Sequence, residues 1–440
     1  MIVIKFGGSS VSDSDRIMGV ARIIRSQAHR KPVVVVSGLG GITDELISLA
    51  KCAEQGKDVA VKATRILDRN YRAIKELGLN PGIIRGEAVR LKSLAARISR
   101  EGRLSPRNLD EMMSFGERMS ARIVSGYLTS IGSDSRACDA FDIGLVTDSN
   151  FGNADALPES YSRIRKHLAA SSTIPVVTGF IGKDSKGAIT TMGRGGSDYT
   201  ACIIGSAIHA DEIQIWTNVD GIMTADPRIV KNARSIASLS YEEESELEFL
   251  GASTLHPKGI EPAIDGRIRV RILNTLNPKH KGTMISERGT GRSRIASITH
   301  KEGMCIIKVD KPRRMSRREL MGRITKEIRE GDIRMDTLSS SKSGAVLSIS
   351  MPANRKIAET LERLRRIGKT RISKEKAKVS VVGESISAIP GISASILSSL
   401  GNMRVEAVSC GSSDTSQSFM VDMKDAERAI RLVHKRLFEE

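Results

Sequence analysis

Residues 2–10 read IVIKFGGSS. Ile2, Val3, Ile4 and Phe6 make a short run of strand-forming side chains around Lys5, Gly7 and Gly8 end it, and Ser12 or Asp13 can open the helical stretch that follows. The same order of strand, glycines and helix recurs along the chain. PVVVVSG (32–38), SDSRACD (133–139), IPVVTGF (174–180) and EIQIWTN (212–218) read as further buried strands. Strands of this kind separated by helices form parallel sheets covered on both faces. Residues 1 to about 290 are therefore expected to be α/β, an open, mainly parallel sheet with helices on both faces.

From about residue 295 the pattern changes to strands that alternate in polarity and arrive in pairs around helices. In VLSISM (346–351), Leu347, Ile349 and Met351 alternate with Ser348 and Ser350, as in a strand with one buried face. This part also repeats itself. MCIIKVD (304–310) matches VSVVGES (379–385), RRELMGRITKEI matches ISASILSSLGNM, VLSISM matches SFMVDM, and AETLERLRRI matches AERAIRLVHKRL. Two ferredoxin-like βαββαβ units explain the repeat. The second helix of each carries apolar residues at helical spacing, Ile357, Leu361 and Leu364 in one and Ile430, Val433 and Leu437 in the other.

A length of 440 residues, 40% hydrophobic and 27% charged, fits two or three ordinary globular domains and excludes a disordered or stapled mini-protein class. The net charge of +18 invites a nucleic-acid reading, but aromatics are only 3%, too sparse for base-stacking platforms. Most of the charge is local: residues 311–378 hold 20 Lys or Arg against 8 Asp or Glu, which reads as a solvated face rather than a phosphate-binding one, since no nucleic-acid motif accompanies it. Five scattered cysteines, none in a CxxC pair, indicate neither a disulfide framework nor a zinc site. The opening MIVIKF is too short for a signal peptide, and no run approaches a membrane span, so a cytoplasmic protein without membrane or nucleic-acid partners is expected.

Chemistry concentrates at three glycine-rich junctions. At Lys5-Phe6-Gly7-Gly8-Ser9-Ser10 the glycines allow close backbone approach to a phosphate and a lysine can reach a transferred phosphoryl group, although a glycine pair alone equally fits an ordinary turn. GRGGSD (193–198) is more specific: Arg194 can clasp a carboxylate in bidentate fashion while the amides of Gly195 and Gly196 hold an anion at a helix start, beside Ser197 and Asp198. The third, Ser37 to Asp44, opens another helix, which Thr43 could simply cap. Glycine-rich ends of parallel strands converge on one edge, where open α/β sheets bind ligands.

KFGGSS (5–10), SFGERMSARI (114–123), TGFIG (178–182), TMGRGGSDYTA (191–201), WTNVDGIMTADPR (216–228) and LHPKGIEPA (255–263) together resemble the aspartate kinases, in order and spacing, over the whole chain. That resemblance implies an amino-acid kinase domain at 1–292 and two ACT-like domains at 295–372 and 377–440, phosphorylating the β-carboxylate of L-aspartate with ATP supplied as its Mg²⁺ complex. By position it implies Lys5 and Asp198 as catalytic residues. Lys5, Gly7, Gly8, Ser9, Thr217, Asn218, Met223, Arg228 and Lys258 would hold the nucleotide. Thr43, Glu117, Arg194, Gly195, Gly196 and Ser197 would hold aspartate, and no residue is implied as a fixed metal ligand. Among the departures from the usual WTDVDGIYTTDPR, Asn218 replaces an acid and Met223 a tyrosine, which bears on nucleotide affinity.

A carboxylate with a pKa near ~3.9 is already a nucleophile at neutral pH, so Asp198 is not expected to act as a base but to sit between lysines, holding their ammonium groups. Glu117 on its helix alone would read as a surface acid paired with Arg118 or Arg122. Its expected role as acceptor of the α-ammonium follows once Arg194 holds the α-carboxylate. His256 reads as structural. The resemblance further implies an amino-acid effector, lysine or threonine, at the ACT-like domains and a homodimer or higher oligomer. KPRRMSRREL in the first repeat lacks the turn glycine present in SAIPGISASI of the second.

Overall fold

The computed structural model describes residues 1–252, 255–289, 294–350 and 355–439. Met351 and the expected domain ends at residues 292 and 440 lie outside them. The chain forms two compact units. The first comprises Met1–Ile222, Ser235–Glu244 and the described residues of 253–291. Its eight-stranded sheet has the order Ser135–Cys138, Ile174–Thr178, Pro32–Val36, Ile2–Phe6, Glu212–Thr217, Val270–Asn274, Thr283–Ser286, Ser238–Ser240. All neighbours are parallel except Val270–Asn274 with Thr283–Ser286.

Both faces are covered, as continuous β-branched strands require. On one face Ile4, Phe6, Val34 and Val36 join Ile42, Leu46, Phe115 and Met119 from helices Ile42–Glu54 and Pro106–Ser130. On the other, helix Gly196–Ile208 lies so close that a Cβ on Gly205 would fall 2.5 Å from the Ile213 side chain. Helix ends follow local chemistry: Asp13 caps Ser14–Ser26 by accepting from Arg16 N, and Ser105 caps Pro106–Ser130 by accepting from Asn108 N. Phe6 is in register with Val36 and Trp216, and Val36 with Thr178, so the loops after four strands emerge at one edge. The GRGG turn reaches the site differently from the other two junctions, from strand Ile189–Thr191 of a small second sheet with Val146–Thr147 and Ile181–Asp184.

The second unit comprises Met223–Arg234, Ser245–Ala252 and the described residues of 292–440. Its sheet, in the order Met335–Ser340, Gly344–Ser350, Ser297–Asp310, Thr370–Val382, Ser416–Asp422, Ala407–Ser409, is antiparallel throughout. Both βαββαβ patterns are present and share the two long strands. Residues 304–310 serve the first set, whereas Ser297–Lys301, ahead of it in the chain, pair with Lys378–Val382 and supply the fourth strand of the second. Ile357, Leu361 and Leu364 pack with Ile307, Leu347 and Ile349, while Ile430 and Val433 pack with Val379, Val381 and Phe419, with Leu437 at the margin.

Two details differ from expectation. Ser348 is buried as fully as the alternating Leu347, because its hydroxyl bonds to Thr337 Oγ1 and Asp336 on the opposite face. Of the basic stretch, Arg313, Arg314, Arg317 and Arg318 are exposed, but Lys376 and Lys378 are buried, the first on Glu406 and Asp422 and the second 2.9 Å from Asp336. A buried ammonium is tolerated when carboxylates accept its protons.

Candidate active site

Lys5 is the inward-pointing cation of the central strand, 9% exposed, with Nζ 2.6 Å from Asp198 Oδ1. Asp198 stands in the first turn of helix Gly196–Ile208, where the helix dipole favours an acid. Gly7 follows the strand with its Cα facing Lys5: a Cβ there would lie 3.6 Å from Nζ. On Gly8 a Cβ would meet the Gly38 carbonyl oxygen at 2.9 Å, so the two glycine loops lie in direct contact. Ser9 is exposed on this loop, and buried Ser10 bonds to Thr275.

Glu117 is not a surface acid. It is 3% exposed, its Oε1 accepts from Gly38 N at 3.0 Å, and its Oε2 has no partner among the described residues. Burial pushes its carboxyl up from 4.5 to about 7, the Gly38 amide offsetting only part of that. Arg118 and Arg122 turn away to Asp139 and Glu87. Ser37 donates to Ser197, and Gly179 sits so close to Ser197 that a Cβ would come within 2.6 Å of its hydroxyl. Arg194 is exposed and makes no ion pair among the described residues. Gly195, at φ 72°, is the cap of its helix and its Cβ position is filled by His256, itself the cap of helix Pro257–Asp265. Gly196 likewise abuts Phe180. Thr43 does not cap its helix; Gly41, at φ 77°, does, and the half-buried Thr43 hydroxyl is uncommitted among the described residues.

Lys258 is not on Asp198. Its Nζ lies 2.7 Å from Asp155 Oδ1 and donates to Ala154 O at 2.9 Å, so Asp198 meets one lysine rather than the expected two. Thr217 and the exposed Asn218 bond to each other at the end of their strand. Met223 and Arg228 belong to the second compact unit, where Met223 O accepts from Ser297 and Arg228 forks onto Asp226. Phe180 and Asp220 were not singled out from sequence. Phe180 takes φ 68° with its amide donating to Thr200, and Asp220 accepts from Asn274 and Asn277. The glycines flanking both residues were the signal available.

These features agree with what the chain matches. The Amino acid kinase family model matches residues 1–274 and an ACT domain model residues 379–437. "Aspartokinase 1, chloroplastic" of Arabidopsis thaliana is 33% identical over 99% of this chain and 80% of its own length. "Lysine-sensitive aspartokinase 3" of Escherichia coli is 28% identical over 100% of this chain and 99% of its own. Among solved structures, E. coli aspartokinase III in complex with aspartate and ADP superposes with a TM-score of 0.81 at 27% identity, covering 100% of both chains. Clostridium acetobutylicum aspartate kinase superposes at 0.87 and 26% identity, covering 99% of this chain and 100% of that one. The chain belongs to the amino acid kinase family and, within it, to the aspartokinases.

Proposed function

We propose that this protein transfers the γ-phosphoryl group of ATP to the β-carboxylate of L-aspartate, forming 4-phospho-L-aspartate at the head of lysine, threonine and methionine biosynthesis. The observation that carries the reading is the buried Lys5–Asp198 pair beside two touching glycine loops, with the Arg194 guanidinium and Glu117 Oε2 left open. Those two open groups are complementary to an amino acid: Arg194 takes the α-carboxylate and Glu117 the α-ammonium, with Thr43 and Ser197 alongside. The β-carboxylate, ionised at neutral pH, attacks without a base. What it needs is compensation of charge as two anions meet. Lys5 and the amides of Gly8 and Ser9 supply it at the phosphates, Gly7 allows the backbone to approach them closely while its own amide donates to Trp216 O, and Asp198 fixes the Lys5 ammonium. Thr217, Asn218 and Lys258 bind the rest of the nucleotide. Mg²⁺ arrives on ATP in this reading and keeps phosphate and water ligands.

The test is product identity. With Mg-ATP and aspartate the purified protein should yield an acyl phosphate trapped by hydroxylamine; acyl phosphate from glutamate or acetylglutamate, or UMP phosphorylation, without reaction on aspartate overturns the assignment. For regulation, the αL glycine Gly391 opening helix Ile392–Ser399 supports an effector site at the second ACT repeat, since the first opens its helix with Ser316 instead. Titrating lysine, threonine and methionine against activity identifies the effector. No helix among the described residues is long and apolar enough to cross a membrane. All five cysteines are unpaired, as in a reducing compartment.

A further inference from the structure

Helix Pro106–Ser130 buries a second carboxylate besides Glu117. Asp110, 1% exposed, lies seven residues before it, within about 20° of the same helix face. Its Oδ2 accepts from Thr191 N at 2.7 Å and from Gly152 N at 2.9 Å, and its Oδ1 accepts from Thr191 Oγ1 at 3.0 Å. No Lys or Arg pairs with it among the described residues, and burial raises its pKa above the ordinary carboxylate range. A carboxylate held dry without a counter-ion is costly, and is usually found where its hydrogen bonds fix something that matters.

What those bonds fix is adjacent to the site on two sides. Ala154 N donates to Thr191 O, so Gly152–Ala154 and Thr191 form one clamped layer. Lys258 Nζ rests on the carbonyl of Ala154 and on Asp155. Gly193, which follows Thr191 and precedes Arg194, lies on the same layer: a Cβ there would fall 2.6 Å from Asn153 Oδ1 and 3.2 Å from Gly152 O. We infer that Asp110 is a positioning residue for phosphoryl transfer, clamping Gly152 and Thr191 so that Lys258 and the turn bearing Arg194 are held together from the helix that also presents Glu117. This rests on the roles proposed above for Lys258 and Arg194.

Asparagine and leucine separate positioning from bulk. Asp110→Asn can accept both amides through its carbonyl oxygen and donate to Thr191 Oγ1, whereas Asp110→Leu has the size but none of the bonds. In the full chain, Asp110→Asn should stay within about threefold of the parent, and Asp110→Leu should lose about tenfold to a hundredfold in kcat with a raised KM for aspartate, while melting cooperatively. A readout independent of turnover is the labelling of Lys258 by an amine-reactive acetylating reagent, quantified by peptide mass spectrometry without substrates. It should rise several-fold in Asp110→Leu and not in Asp110→Asn; Asp110→Ser, which leaves room for water, replaces leucine if that variant does not fold. A folded leucine or serine variant with the parent's kcat, KM and Lys258 labelling overturns the inference, as does an asparagine variant as impaired as leucine. If the parent does not phosphorylate aspartate, the proposed function fails, yet the Lys258 labelling still decides the clamp.

Discussion

Replacing Glu117 by glutamine should make the protein more stable and a worse enzyme, in amounts that depend on pH. Burial raises the Glu117 carboxyl from 4.5 to about 7, so between those values the folded chain holds a proton that the unfolded chain has lost. Stability must then fall as pH rises through that window, and above about 7 the whole cost of the buried charge is present. At 1.36 kcal/mol per unit the interval from 4.5 to about 7 corresponds to roughly 3 kcal/mol. Glu117→Gln keeps the shape and the acceptor for Gly38 N and never ionises. Its stability advantage should grow by about 2 kcal/mol between pH 5 and pH 8.5 without substrate. Urea unfolding followed by the fluorescence of Trp216, the single tryptophan, reports this from the central sheet. Aspartate at a concentration that saturates the parent should stabilise the parent more than the variant, because only a carboxylate makes an ion pair with the α-ammonium. The parent's KM for aspartate should rise toward tenfold per unit as pH drops below about 7, and the variant's should be high and flat. A stability difference equal at both pH values, or a parent KM unchanged from pH 8 to 6, refutes the reasoning.

Lys5→Ala should cut kcat by orders of magnitude by leaving transition-state charge uncompensated, while Arg194→Ala should chiefly raise the KM for aspartate; steady-state kinetics with both substrates varied would contradict the roles if the two variants behaved alike. Gly8→Ala should raise the KM for ATP about tenfold or more, since its Cβ would press at 2.9 Å on the Gly38 carbonyl and part the two loops. Sedimentation at micromolar concentration and physiological salt should show a dimer or larger species, and a clean monomer of 47.7 kDa would remove the expectation of a homodimer or higher oligomer.

The parallel sheet was legible because a strand buried on both faces is a near-continuous apolar run, as Pro32–Val36 is and as Ile2–Phe6 is apart from Lys5. The glycine junctions were legible because close backbone approach leaves few alternatives to glycine. Other features depend on partners distant in sequence. The Ser297–Lys301 strand completes the second βαββαβ set from ahead of the first, and local periodicity carries no information about which module a strand joins. Glu117 on its helix alone suggested a pair with Arg118 or Arg122; that those arginines turn to Asp139 and Glu87 depends on elements outside the motif. Asp110 went unnoticed for a related reason, since an acid near the start of a helix is ordinary and only the fold shows it buried.

The charges also indicate where selectivity must arise. Lys5 and Lys258 each rest on a carboxylate, Asp198 and Asp155, so in the proposed reaction their ammonium groups are already placed and little reorganisation remains. By contrast, the Glu117 Oε2 is unpartnered and Arg194 makes no ion pair among the described residues. An α-ammonium and α-carboxylate satisfy both, but every amino acid offers that pair, so the zwitterion gives affinity without choosing a side chain. The choice falls to the distance from a fixed α-carbon to the phosphoryl group beside Lys5. Glutamate, one methylene longer, can bind the same two groups while its carboxylate overshoots the line of attack. A methylene costs only about 1–3 kcal/mol in a binding pocket, whereas misplacing the nucleophile by about 1 Å can cost a further hundredfold in rate. If Arg194 and Glu117 take the roles proposed for them, both acids are held equally there, and discrimination between them is expressed in kcat more than in KM.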